Sequence, residues 1–319
     1  MEHQQRTLYP DGAFYKGNLH CHSTFSDGRL TPEQLKNAYR RKGYQFLLYS
    51  DHNLHTHFQH LSDPDFLVLR GFEGELRVPA ATPHKAFHLL FLKKPDVLLS
   101  APFRPYGHLE PVPVPDYTGA DSLKAYIARQ EVRGYMTIFN HPYWSFNDEQ
   151  DIACLDGIVG LELFNYGCQI SENTGYAELM YDLLLRKGKR LWGFASDDNH
   201  NLFPFDSPAN DSFGGYLMVK ARGLTEDDVV QAIWDGSFYA SQGPEIHDFY
   251  VEDGRVYLTC SPAERVYVSD EARHYQLGFR DGGSVCAFCG VVPPSAQYLR
   301  AEVVDCYGRK AYGNPIFLK

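Results

Sequence analysis

The 319-residue chain has no run of about 18 apolar residues, so a helical membrane span is not expected. Its first residues, MEHQQRTLYPDG, hold no apolar segment of the kind a secretory leader needs, and a cytoplasmic location is expected. Basic residues are in the minority, 30 Lys and Arg against 40 Asp and Glu, for a net charge of −10. That balance argues against an extended nucleic-acid surface or an anionic-membrane face, both of which need clustered cations. It leaves room for a small-molecule substrate of either sign, because bound metals can reverse the charge inside a pocket. The seven cysteines are odd in number and scattered, with no disulfide framework. Cys286 and Cys289 make a single C-x-x-C without a second pair or a nearby His, so it is not read as a zinc knuckle. A Gly-x-Ser-x-Gly elbow, internal repeats and low-complexity tracts are all missing, which removes the usual serine nucleophile and the repeat architectures.

What is there alternates. Short β-branched or aromatic runs at 14–20, 46–50, 66–70, 87–92, 136–140, 158–164, 191–195 and 216–219 read as strands, separated by helical patterns. Thr31-Pro32-Glu33-Gln34 has the form of a capping box with Pro in the first turn, and that helix should end at Gly43. Helices over 122–133 and 176–187 should end at Gly134 and Gly188, and one capped by Thr225 should end near Gly236. The pattern to about residue 245 is that of an α/β domain. The Pro-rich stretch 101–115 is expected to be a long loop. From 246 to 319 the helical period stops, and short strands at 249–251, 256–259, 265–268, 298–304 and 316–318 suggest a small all-β domain. About 75 residues with strands so short should not bury a core unaided. They are expected to pack on the α/β part, or on a second subunit in a homo-oligomer, through Phe249, Val251 and Tyr267.

Histidines and carboxylates gather just after these strands. His20 and His22 stand at i and i+2, which in extended chain places both imidazoles on one face, a natural clamp for a divalent cation. Asp27 follows in a turn before Gly28. Asp51-His52 comes after the second strand, Glu73 after the third, His88 opens the fourth, His141 closes the fifth, and Asp198 and His200 repeat the i, i+2 spacing after the seventh. In α/β barrels the reactive groups collect at the carboxyl ends of the strands, so one shared site is expected.

The ordered series H-x-H with S-D-G, then S-D-H, G-x-E, N-H-P and D-x-H resembles the polymerase and histidinol phosphatase (PHP) domain over about residues 14–245. The resemblance implies a distorted (β/α)7 barrel, two or three divalent metal ions (Mn, Zn or Fe), and hydrolysis of phosphate esters through metal-activated water. The implied ligands are His20, His22, Asp27, His52, Glu73, His88, His141, Asp198 and His200, with Asp27, His52 and Asp198 in the catalytic group. The run Gly236-Ser237-Phe238-Tyr239-Ala240-Ser241-Gln242-Gly243-Pro244 before a β tail is similar to the CehA/McbA-like subgroup, which includes carbamate-ester hydrolases. That subgroup keeps a carbamate, ester or amide hydrolase as a second reading; a non-catalytic metal-stabilised module is a third. The family ending Ser-Asp-x-His is here Ser196-Asp197-Asp198-Asn199-His200, so Asp198 is preferred by spacing and Asp197 is its rival.

Other polar residues carry blander expectations. Asp51 should orient an imidazole, Glu75 is a lesser rival of Glu73, and Glu162 should approach the site without binding metal. His55, His57 and His60 should line a rim or face solvent. Tyr143, Trp144 and Tyr166 follow motif strands and could line the pocket, while Arg77, Lys85 and Arg104 are the candidates for a phosphate contact.

Overall fold

The structure is a computed structural model and describes residues 5–55, 58–79, 85–97, 99, 110–272 and 274–319. Strands form where the apolar runs stand, and two sheets carry those of the first 245 residues. In one, Ala13–Asn18, Phe46–Leu48 and Leu67–Leu69 run parallel, with Tyr216–Ala221 antiparallel beside Ala13–Asn18 and Phe238–Ser241 beyond it. In the other, Tyr135–Phe139, Ile158–Asn165 and Trp192–Ser196 run parallel, and His88–Lys93 lies antiparallel between Tyr135–Phe139 and Gly71–Glu75. Phe46–Leu48 and Tyr135–Phe139 are buried along their whole length, as strands covered on both faces must be. Both sheets contribute to one apolar core, which includes Leu48, Phe72, Phe91, Phe139, Leu161, Phe194 and Leu217.

The fold is thus mixed α/β, and among the described residues no closed ladder of the kind the expected (β/α)7 barrel would have is found. The ladder is interrupted between Leu67–Leu69 and Gly71–Glu75, and again between Trp192–Ser196 and Tyr216–Ala221. His88–Lys93 is antiparallel to both Gly71–Glu75 and Tyr135–Phe139, and Tyr216–Ala221 is antiparallel to both Ala13–Asn18 and Phe238–Ser241, where an all-parallel barrel would have parallel neighbours. At one end, two isolated bridges, Cys21 with Asn199 and His52 with Glu73, stitch the sheets together.

Helix Pro32–Arg41 begins at the expected capping box, Thr31 accepting from Gln34 N and Gln34 reaching back to Thr31 N. Ala120–Val132, Glu178–Arg186 and Glu226–Trp234 also stand close to their expected places. Two short helices were not expected, Glu149–Ala153 and Tyr166–Glu172. At five and seven residues they are too short to show a helical period. Of the Pro-rich stretch, 101–109 lies outside the described residues. Glu110–Pro111 is not loop but pairs with Leu54–His55.

The tail builds a second core together with residues from earlier in the chain. A four-stranded sheet of Gln5–Arg6, Ile246–Glu252, Arg255–Ala263 and Val285–Val291 faces strands Gln276–Phe279, Arg265–Ser269, Tyr298–Val304 and Lys310–Gly313. Between them Phe249, Val251, Leu258, Val266, Leu299 and Val303 form this core, which also takes in Leu8 and Tyr239 from earlier in the chain, with Phe14 and Met218 packed against it. Alternate burial along Ile246–Glu252 is the mark of a strand with one buried face, and two such faces together enclose a core that short strands singly could not. Phe249 and Val251 take part as expected; Tyr267 stays half-buried. The sheet also runs across residue 245, because Lys310–Gly313 pairs with Phe238–Ser241.

Candidate metal centre

The stitched end of the sheets is where the nine residues meet. His20 and His22 continue out of Ala13–Asn18, His52 follows Phe46–Leu48, and Glu73 sits in the middle of Gly71–Glu75. His141 follows Tyr135–Phe139, and Asp198 and His200 follow Trp192–Ser196. His88 arrives differently. It is the first residue of an antiparallel strand, so its amino end lies at the rim where the parallel neighbours finish, and its carbonyl accepts from Asn140 N at 3.1 Å. The S-D-G turn places Asp27 because Gly28 lies against the His22 carbonyl, where a Cβ would come within 2.3 Å. His141 (φ 21°) and Asp198 (φ 52°) hold positive φ, a strained backbone often stored at functional sites.

Glu73 is the hub. Its Oε2 is 3.2 Å from His20 Nε2, His22 Nε2 and His52 Nδ1, and its Oε1 is 3.3 Å from His88 Nδ1 and His141 Nε2. Asp198 Oδ1 lies 3.0 Å from His20 Nε2 and 3.1 Å from His22 Nε2. Nearer solvent, Asp27 Oδ2 is 3.4 Å from His200 Nε2 and 3.7 Å from His52 Nε2. The ligand atoms fall into three overlapping groups: His20, His22, Glu73 and Asp198; His22, Asp27, His52 and His200; and His52, Glu73 and His88. His22 stands in two of them, yet a neutral imidazole offers one lone pair and can serve one cation.

The donor set fits divalent cations. His20 Nε2, His22 Nε2, His52 Nδ1 and Glu73 Oε2 are buried and have no hydrogen-bond partner. They approach closely without hydrogen-bond alignment, which leaves four costly orphaned atoms facing one shared space. Surrounding groups orient the rings. His20 Nδ1 lies 3.1 Å from Glu162 Oε1, and a carboxylate can only accept, so Nδ1 carries the proton and Nε2 faces inward. His200 Nδ1 likewise donates to the Asp198 carbonyl at 3.0 Å. Asn140 Nδ2 donates to Glu73 Oε1 at 2.7 Å and Asn165 Nδ2 to Asp198 Oδ2 at 3.0 Å. Asn165 also caps helix Tyr166–Glu172 through Cys168 N, which ties the start of that helix to the site.

Charge is held tightly here. Burial alone would keep His22 neutral, but Asp198 and Glu73 raise its pKa to about 10. The same competition, burial against the Asp198, Glu73 and Glu162 carboxylates, ends with His20 well above the usual histidine value. Burial would raise Glu73 and Asp198, but the surrounding imidazoles bring both well below the ordinary carboxylate range. At His52 burial prevails and lowers the pKa. Without cations the cluster stores protons on His20 and His22, and a cation would have to displace them.

Asp197 and Asp198 part company. Asp197 turns away from the cluster and accepts from Phe213 N, Gly214 N, Gly215 N and the Tyr39 hydroxyl. Asp51 does not orient an imidazole: it accepts from the backbone N and hydroxyl of both Ser23 and Ser26, and so holds the turn that carries Asp27. Glu75 sits at the edge, 3.6 Å from His88 Nε2. Glu162 comes closer than expected, since it also accepts from His141 N at 2.8 Å. Its place mid-strand, after no recognisable motif, hid that role. Buried His55 is no rim residue; it lies between Arg133 Nη2 at 2.8 Å and the Tyr135 hydroxyl at 3.0 Å. His57 and Arg104 lie outside the described residues. Arg77 is paired with Asp116, and Lys85 with Asp151 and Asp148. All seven cysteines are free, Cys286 and Cys289 exposed.

A cleft of about 500 Å³ opens beside Asp198 and His200. Trp144 lines it, as its position after His141 suggested, whereas Tyr143 lines a separate apolar groove with Leu179 and Met180. Tyr166 packs instead over Gly214, where a Cβ would meet its ring at 2.3 Å. Among the described residues, no helix is long and apolar enough to cross a membrane.

No protein-family description matches the sequence, and no curated protein is similar to it. Several solved structures are similar to the chain, among them the following two. One is a two-domain protein from Bacteroides vulgatus containing a predicted PHP-like metal-dependent phosphoesterase; identity is 14%, coverage is 96% of this chain and 95% of that one, and the TM-score is 0.47. The other, from Bifidobacterium adolescentis, is also a metal-dependent phosphoesterase by prediction, at 16% identity over 71% of this chain and 96% of that one, with a TM-score of 0.40.

Proposed function

We propose that the chain is a metal-dependent hydrolase of the PHP type that cleaves a small phosphate ester. The observation that carries this is the set of orphaned buried atoms on His20, His22, His52 and Glu73, enclosed by the other members of a nine-residue series legible in the sequence. His20, His22, Glu73, His141 and Asp198 would hold the inner cation; Asp27, His52, His88 and His200 would complete one or two more. Bound Mn²⁺, Zn²⁺ or Fe²⁺ would supply Lewis acidity toward the ester oxygens and a water acidified toward neutral pH.

The chain's own residues do the rest. Glu162 and the Asp198 carbonyl fix the Nδ1 protons of His20 and His200, so both Nε2 atoms face the site. Asp27 is the most open of the nine, its side chain 54% exposed. Burial would raise the Asp27 carboxyl, but His200, His22 and His52 hold it well below the ordinary carboxylate range, so it stays ionised beside His200 Nε2 as a cation ligand. Asp198 and Glu73 stay ionised and supply the negative charge that concentrates cations.

A second reading, hydrolysis of a carbamate, carboxylic ester or amide by the same residues, draws support from the cleft, which no Lys or Arg lines among the described residues. The deciding experiment is reconstitution of chelator-stripped protein with Mn²⁺, Zn²⁺ or Fe²⁺, followed by metal analysis and a panel of phosphate esters and carbamates. Two to three equivalents bound, with phosphate esters preferred, is the expected result. Less than one equivalent ends the metal reading; turnover of carbamates alone selects the second.

A further inference from the structure

We propose that the cleft beside Asp198 and His200 seats an uncharged apolar group of the substrate, aromatic or arylalkyl, rather than a sugar or a second anionic group. The inference rests on the hydrolase reading and deepens it by naming a substrate class. The cleft's volume suits a group the size of one or two rings.

The walls carry the case. Trp144 comes three residues after His141, and its ring stands 5.0 Å from that of His141 and 5.7 Å from that of His88. Leu202 and Phe203 come two and three residues after His200 and are 61% and 52% exposed. Ile170 faces them from helix Tyr166–Glu172. The segments that deliver two of the nine residues therefore also deliver the apolar wall. Large apolar side chains left in water at the mouth of a polar site gain by covering a ligand.

Charge points the same way. The charged side chains on the cleft besides His200 are Asp198, Asp211 and Glu172. Asp211 is engaged with the backbone N–H groups of His200 and Asn201. Exposed Glu172 faces the outer part of the cleft, and no described Lys or Arg there would neutralise an anion placed next to it. A larger hollow of about 560 Å³, at Arg40, Arg41 and Phe205, shares no residue with the cluster and does not compete for this role.

The test uses the metal-loaded protein and matched esters whose leaving groups differ mainly in the ring: 2-phenylethyl and ethyl phosphate, and the N-methylcarbamates of the same two alcohols. In whichever series is hydrolysed, KM for the phenylethyl ester should be lower by about tenfold, the effect of burying one ring. In a Leu202→Ala/Phe203→Ala variant that ratio should fall to about twofold or less, with metal content unchanged. A readout without turnover is quenching of tryptophan fluorescence by 2-naphthol. It should saturate in the native protein, weaken about tenfold in the double variant, and lose most of its amplitude in Trp144→Phe. Equal KM values for the two esters, or naphthol binding indifferent to the double variant, would overturn the inference. If no ester is cleaved but naphthol binds as described, the apolar seat stands and the hydrolase reading falls.

Discussion

Glu162 Oε1 lies 3.1 Å from His20 Nδ1, and the other oxygen of the same carboxylate accepts from His141 N at 2.8 Å. One buried side chain thus fixes a ring that follows Ala13–Asn18 in one sheet and the backbone that follows Tyr135–Phe139 in the other. Glu162→Gln keeps the size but weakens the acceptor, and its amide can rotate an N–H toward His20. Metal affinity should fall between about 10- and 100-fold, while far-UV circular dichroism stays native. Competition against a chromophoric chelator measures it, and an unchanged affinity would show that Glu162 is only a packing residue.

The two adjacent aspartates should separate cleanly. Asp198→Asn should leave a folded protein that loses its inner cation and its activity. Asp197→Asn weakens an acceptor of three backbone N–H groups and a tyrosine hydroxyl, and should cost on the order of 3 kcal/mol of stability. Paired measurements of metal stoichiometry and urea midpoint decide the matter. The reverse pattern would put the motif register one residue earlier.

The protonation of the metal-free cluster gives a pH signature. His22 has a folded pKa of about 10 against an ordinary 6.5, and His20 is raised as well. Their contribution to stability is full below pH 6.5 and is lost as the pH climbs toward 10. His52, lowered by burial, acts in the opposite sense but only near and below neutrality. The chelated protein should therefore show a Tm that falls between about pH 7 and 10. Loaded protein, whose ligands have given up those protons, should hold its Tm over the same window. A flat profile for the chelated protein would contradict the charge state described.

His55 is the control histidine. His55→Ala removes the partner of Arg133 and Tyr135 and should lower stability by about 2–3 kcal/mol. Metal content should stay at the native level, as measured by elemental analysis of reconstituted protein. Loss of a full equivalent would draw His55 into the site.

Much of the site could be read before the structure because its residues follow strands, and strand ends are legible from apolar runs. His20, His22, His52, His141, Asp198 and His200 all follow that rule. Glu162 is placed near the site by its sequence position, but nothing in Ile158–Asn165 shows that its carboxylate would hold both His20 Nδ1 and His141 N. Asp51 was misread because the Ser23–Ser26 turn that it holds comes from a distant part of the chain. The ladder breaks were hidden for a related reason: period-two patterns show that a strand exists but not which way its neighbour runs. The tail strands Gln276–Phe279 and Val285–Val291 are mostly exposed, and their weak apolar alternation gave little to detect.

The pair Gly71–Glu75 and His88–Lys93 sets Glu73 opposite Leu90 and Glu75 opposite His88. This register turns Glu73 and His88 toward the rim, and a slip of one strand by a single residue would turn its whole set of side chains to the other face. In a refolding chain, the hub carboxylate therefore exists only after this pairing has found its alignment. Uptake of a cation by the proposed ligands would then work as a clock, timing the registration of one hairpin apart from the collapse around it.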